Sequence, residues 1–181
     1  MKNVSGQIRR LTLTYYMQPV LGVSDQATAM HIRSNISETG VILLENPYSD
    51  DFAGKIAYMD VSSAERTYTC DRREFFGSGD ISRPECLSRE ALSGTTGAGI
   101  DPCAAMQTEV ILEPDENRDI IFLMGMAPRL PEAEETARLY RNIDNVKNSF
   151  LAVQAFWKTK MDVVRVDTPV ESMDILRRYL L

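Results

Sequence analysis

Histidine is almost missing from this chain: His31 is the one example in 181 residues. Cysteine is scarce as well, and Cys70, Cys86 and Cys103 are widely separated with no C-x-x-C pair. A zinc site built from several Cys or His ligands in close-spaced pairs is therefore excluded. An odd number of scattered thiols points to reduced cysteines packed as small hydrophobes in a cytosolic setting. A nucleophilic cysteine would have to take His31 as its base, and no local pattern supports that pairing. No apolar run approaches the roughly 20 residues needed to cross a bilayer, and residues 1–6 lack the apolar stretch of a secretion signal. Cations are outnumbered too: 20 Lys and Arg against 26 Asp and Glu leave a net charge of −6. That is the wrong sign for neutralising phosphates along a nucleic acid. These shortages lead us to expect a cytoplasmic chain with no metal, no cofactor and no nucleic-acid partner, and a neutral or zwitterionic ligand.

What is present is ordinary globular material. With 44% hydrophobic and 25% charged residues, the chain can bury one good core or two small ones, which rules out disorder, collagen and a small disulfide scaffold. Residues 7–126 have the texture of strands and turns. Leu11, Leu13, Tyr15 and Met17 alternate with Thr12, Thr14, Tyr16 and Gln18, the period of a half-buried strand. Further strands are expected at 41–45, 55–61, 67–70, 106–113 and 119–126. Pro114, Asp115, Glu116 and Asn117 separate the last two and suit a turn, so these read as a hairpin.

Residues 77–101 are rich in Gly, Ser, Thr and Pro without sustained periodicity, and loops of that length are usually functional or mobile. Their end, Gly94-Thr95-Thr96-Gly97-Ala98-Gly99, resembles a phosphate-binding loop in composition only. Ile100 stands where the Walker lysine belongs, and a strand follows Asp101-Pro102 where a helix N-terminus is needed. A flexible bend is the expected reading.

After Pro131 the apolar period lengthens. Pro131 suits a first helical position, and Glu132, Glu134 and Glu135 favour the positive end of a helix dipole. Ala133, Ala137, Tyr140, Ile143, Val146, Phe150, Val153 and Trp157 then recur at spacings of three and four. This predicts one long helix, or two joined near 142–145. A final helix is expected from Thr168-Pro169-Val170-Glu171, a capping-box pattern. Its stripe of Met173, Leu176 and Leu180 reaches the last residue, which leads us to expect a larger object continuing beyond it. Repeats, heptads and low-complexity tracts are lacking.

Three segments together resemble one family. They are Tyr68-Thr69-Cys70-Asp71-Arg72-Arg73-Glu74-Phe75-Phe76-Gly77, then Leu92-Ser93-Gly94-Thr95-Thr96-Gly97-Ala98-Gly99-Ile100-Asp101-Pro102, then Ile120-Ile121-Phe122-Leu123-Met124-Gly125-Met126-Ala127. In order and spacing they are similar to the N-terminal sandwich of the cellobiose and chitobiose phosphorylases of glycoside hydrolase family ninety-four. The resemblance is strongest to the related part of cyclic β-1,2-glucan synthases. It implies a mainly β fold with C-terminal α structure: an antiparallel β-supersandwich like that of galactose mutarotases, partial here (1–129), then linker helices (130–181) leading towards an (α/α)6 barrel that this chain does not contain. In such enzymes the barrel carries the general acid, and no position here matches that motif.

The resemblance also implies that sandwich loops shape a sugar cleft, often that of a partner subunit. On that basis Asp71, Arg72, Arg73, Phe75 and Phe76 are the candidate sugar-facing residues, arginine donating to hydroxyls and an aromatic face stacking on a pyranose. The plainer alternative pairs Asp71 with one arginine as a solvated ion pair worth roughly 0–1 kcal/mol, and divides Phe75 and Phe76 between core and surface. Trp157, on an apolar helix stripe, reads more readily as a core contact than as a sugar platform, and His31 as structural. Three functions follow: a non-catalytic sandwich of a glycosyltransferase or phosphorylase that handles a β-glucan or oligosaccharide, a self-sufficient carbohydrate-binding module, or a dimerising unit. A membrane-associated parent is compatible with the first.

Overall fold

The computed structural model describes residues 1–161 together with Pro169 and Ser172. The capped helix expected from Thr168, with Met173, Leu176 and Leu180, lies outside the described residues. Two compact units divide the chain, Met1–Asn142 and Ile143–Leu181.

Among the described residues of the first unit, seven strands form two antiparallel sheets. The strands are β1 (Arg9–Met17), β2 (Arg33–Ile36), β3 (Ile42–Glu45), β4 (Ile56–Val61), β5 (Thr67–Asp71), β6 (Pro102–Leu112) and β7 (Phe122–Ala127). One sheet has the order β1-β6-β5 and the other β2-β3-β4-β7. The main core lies between them. Strand alternation sends Ala57, Met59 and Val61 of β4 inward to meet Cys70 of β5 and Ala104 and Met106 of β6, with Ile42 and Leu44 alongside. The fold is thus mainly β, a sandwich of antiparallel sheets followed by helices.

Both outer faces are covered, which is why the strands read as more apolar than a clean alternation. On the four-stranded sheet, Val41, Leu43, Ile56 and Tyr58 pack against Ala133 and Ala137 of helix α3 (Leu130–Tyr140). Small residues on that helix permit close approach. Gly125, opposite Tyr58 in register, serves the same end, because a Cβ there would run into the Tyr58 ring. On the three-stranded sheet, Phe75 of helix α2 (Arg72–Phe76) joins Cys86 and Leu92 over Cys103 and Ala105. The long 77–101 segment is therefore a cover. Glu74 holds it by accepting from Thr69 Oγ1 and from Arg89 Nη1 at 3.2 Å, and Glu85 by accepting from the Ser78 amide at 2.9 Å.

The expected hairpin of the last two strands is corrected. β6 already has β1 on one side and β5 on the other, so its two edges are taken, and the 113–121 connection carries the chain across to the opposite sheet. Turn chemistry specifies a reversal, not the partner strand. β2 was not expected, because Arg33-Ser34-Asn35-Ile36 has no apolar run; its pairing to β3 supplies the backbone bonds that its side chains do not advertise.

The second unit is taken by itself. Helix α4 (Ile143–Met161) is separate from α3, with Arg141 ending α3 by donating its amide to Ala137 O at 3.1 Å. Of the two readings of the helical region, the divided one holds. Trp157 is 53% exposed and meets Phe156 edge-on at 5.4 Å between ring centroids. No helix among the described residues is long and apolar enough to cross a membrane.

All three cysteines are free thiols and buried, packed as hydrophobes in the two clusters that flank the three-stranded sheet. Burial pushes each thiol up, Cys70 to about 11. A raised thiol leaves little thiolate at neutral pH. We expect iodoacetamide at neutral pH to leave all three unmodified in the folded chain and to alkylate all three in urea, as read by intact mass. Prompt modification of the folded chain would place a thiol outside the core.

Candidate functional cleft

The end of β5 and the start of β6 come together at one corner of the sandwich. A register irregularity between Thr69 and Asp71 turns the strand end, and Asp71 becomes the N-cap of α2, its Oδ1 accepting from the Arg73 amide at 2.9 Å. Arg72 is then latched twice to Asp101, the residue before β6. Its amide donates to Asp101 O at 2.7 Å, and its guanidinium grips the carboxylate with Nε to Oδ1 at 3.0 Å and Nη2 to Oδ2 at 2.9 Å. This is the planar fork-to-carboxylate geometry that only arginine makes. The hydrogen bonds to Asp101 hold the Arg72 guanidinium above its ordinary range.

Opposite this latch lies helix α1 (Asp25–Thr28), N-capped by Ser24, followed by a tight 3-10 turn over Ala29–His31. Between the two runs an open cleft of about 430 Å³, lined by Asp25, Gln26, Ala29, Met30, Asp71, Arg72, Arg73, Gly99, Ile100, Asp101 and Pro102. Arg72 keeps 37% of its side chain accessible with two of its five donors committed, and Arg73 is 85% accessible. Asp25, Asp71 and Gln26 supply acceptors; Ala29, Met30, Ile100 and Pro102 supply apolar wall. Mixed donors, acceptors and short apolar patches suit a polyhydroxylated neutral ligand.

At the inner side of the latch sits Tyr16. Its hydroxyl is buried without a hydrogen-bond partner among the described residues, in the electrostatic field of Arg72, Asp101 and Asp25. Burial, its largest cause, pushes this phenol up to about 12.

The structure brings Asp71, Arg72 and Arg73 to the cleft and takes Phe75 and Phe76 away from it. Phe75 is 3% exposed, stacked on Tyr16 at 4.7 Å, with Phe76 edge-on to both rings at 5.2 Å. Both rings pack over the three-stranded sheet, in the cluster of Cys86, Leu92, Cys103 and Ala105. The expected Asp71–arginine ion pair is also corrected: Asp71 caps a helix, and Asp101 is the arginines' carboxylate partner. Sequence reasoning missed Asp25, Gln26, Met30 and Asp101 as cleft residues. For Asp101 a signal existed, since it lies in the second resembling segment, next to its closing Pro102, as Arg72 lies in the first.

The Gly94–Gly99 run is not an anion cradle. The Gly94 amide donates to Tyr68 O at 2.8 Å and the Gly97 amide to Ser34 Oγ at 2.9 Å, while Thr95 O and Gly97 O accept from Cys70 and Ser34 amides. Those groups bridge the outer edges of β5 and β2 and are spent on the protein. His31 stacks on Tyr48. Among the described residues no cluster of His, Cys, Asp or Glu could hold a metal ion.

Comparison with known proteins gives a consistent picture. The family model for the glycosyl hydrolase 94 supersandwich domain matches residues 1–143. The chain is similar to cyclic beta-(1,2)-glucan synthase NdvB of Rhizobium meliloti (strain 1021), 32% identical over 171 residues, which is 93% of this chain and 6% of that protein. It is also similar to 3-O-beta-D-glucopyranosyl-beta-D-glucuronide phosphorylase of Paenibacillus borealis, 28% identical over 114 residues, 60% of this chain and 14% of that protein. The chain thus spans a small fraction of the length of either relative.

Proposed function

We propose that this chain, which belongs to the glycosyl hydrolase 94 supersandwich family over residues 1–143, serves as a non-catalytic domain that presents a sugar-contacting edge within a larger carbohydrate-active enzyme. The carrying observation is the Arg72–Asp101 latch, which fixes a guanidinium with free donors at the rim of a cleft of mixed polarity. Glycoside chemistry needs two carboxyl groups facing each other across the scissile bond, or one with phosphate. Here Asp101 is bound to Arg72 and Asp71 to a helix N-terminus, so both are engaged in holding the cleft and not in proton transfer. The two relatives, one named as a cyclic beta-(1,2)-glucan synthase and the other as a 3-O-beta-D-glucopyranosyl-beta-D-glucuronide phosphorylase, favour a β-linked gluco-oligosaccharide as the ligand class.

Calorimetric titration of the 181-residue chain with a β-(1,2)-linked gluco-oligosaccharide tests this. Saturable binding is expected, weakened at least about tenfold in Arg72→Ala, the scale of one charge-assisted hydrogen-bonding group lost. A flat titration of the unmodified chain would count against the reading, and release of glucose 1-phosphate from a β-glucoside and phosphate would sink its non-catalytic part.

A further inference from the structure

We propose that the stacked pair Tyr48–His31 is a second sugar subsite, an aromatic platform for a pyranose unit of an oligosaccharide whose neighbouring units lie in the cleft. This rests on the reading of the cleft as a sugar site. The two rings lie 4.3 Å apart between centroids and 14° from parallel, so His31 covers one face of the tyrosine ring. Tyr48 is nevertheless 77% exposed, which leaves its other face to solvent. Scattered apolar side chains on a surface need no explanation, but this ring is stacked on His31 and the backbone beneath it is held. The Tyr48 amide donates to Asn46 Oδ1 at 3.1 Å, and Asn46, 2% exposed, donates through Nδ2 to Leu21 O at 2.9 Å.

The platform adjoins the cleft along the chain. Met30 lines the cleft and is 73% exposed; His31 follows it in the same 3-10 turn, about 3.8 Å away along the backbone. A chain of sugars leaving the cleft past Met30 therefore meets the Tyr48 ring next. The axial C–H face of a β-glucopyranose is apolar and weakly positive, the complement of the negative face of an aromatic ring. A braced, flat ring with one open face takes such a unit with little loss of side-chain freedom.

Length dependence separates this subsite from the cleft. Titrating the 181-residue chain with β-(1,2)-linked gluco-disaccharide and gluco-hexasaccharide should show the longer ligand binding more tightly. Tyr48→Ala should weaken the hexasaccharide about fivefold and leave the disaccharide unchanged, whereas Tyr48→Phe keeps both affinities because stacking needs no hydroxyl. Arg72→Ala should weaken both ligands. If Tyr48→Ala leaves the hexasaccharide affinity intact, or weakens both ligands equally, the platform is overturned while the cleft stands. If the unmodified chain binds neither sugar, cleft and platform fail together.

Discussion

Asp60→Ala lowers the unfolding free energy by about 3–5 kcal/mol, the cost of stripping a buried charge pair of one partner. Asp60 is 1% exposed and sits on β4, on the face that carries Tyr58 towards α3. Two arginines converge on it. Arg141, at the C-terminal end of α3, places Nε on Oδ2 at 2.7 Å and Nη2 on Oδ1 at 3.0 Å, and Arg66 donates to Oδ1 and to Val61 O. Arg141 also donates to Thr39 O at 2.8 Å, so one guanidinium ties the helix end to the sheet and to the turn before β3. Burial pulls the Arg66 guanidinium down, with Asp60 opposing that pull. Remove the carboxylate and two cations face each other half-buried. The midpoint of urea unfolding should fall accordingly, and amide exchange in α3 should quicken, because the clamp that docks it is gone. A loss below about 1 kcal/mol would mean that the pair behaves as a solvated surface bridge.

Phe75→Ala is the second large effect, also about 3–5 kcal/mol, the usual cost of deleting a buried phenylalanine with partial collapse of its cavity. The ring stacks on Tyr16 and lies edge-on to Phe76, and together with Cys86, Leu92 and Cys103 it seals the outer face of the three-stranded sheet. Such aromatic contacts add about 0.5–1.5 kcal/mol beyond the area they bury. Phe75→Leu keeps most of the volume and should retain sugar binding with a modest loss of stability. That pairing of variants separates core from ligand contact. If Phe75→Leu instead abolished binding while leaving the urea midpoint in place, the ring would belong to the sugar site after all.

Much of the architecture was legible in the residues. The alternation of Leu11 to Gln18, the apolar runs at 41–45 and 55–61, and the change of period after Pro131 are local signals, and each marks an element that formed. The family resemblance rested on three segments whose order survives in space: the first two meet at the Arg72–Asp101 latch, and the third is β7 with its approach. What escaped is non-local. Whether β7 pairs with β6 or β4 depends on which strand edges remain open, and no residue in 114–117 encodes that. The family resemblance places the two phenylalanines at the cleft beside Arg72, but both rings pack on Tyr16 over the three-stranded sheet, a tertiary contact that no local pattern encodes. Asp25 and Met30 lie more than forty residues before Arg72, so only the closed sandwich brings them to it.

The proposed sugar site is open to one direct measurement. Backbone amide shifts of the 181-residue chain, followed by NMR during titration with a β-(1,2)-linked gluco-oligosaccharide, should move together with saturation at residues 25–30, 71–73 and 99–101, while those of β3, β4 and the α3 face stay fixed. Saturable shifts confined to another surface, or no shifts at all, would contradict the assignment of this cleft as the sugar-contacting edge of the domain.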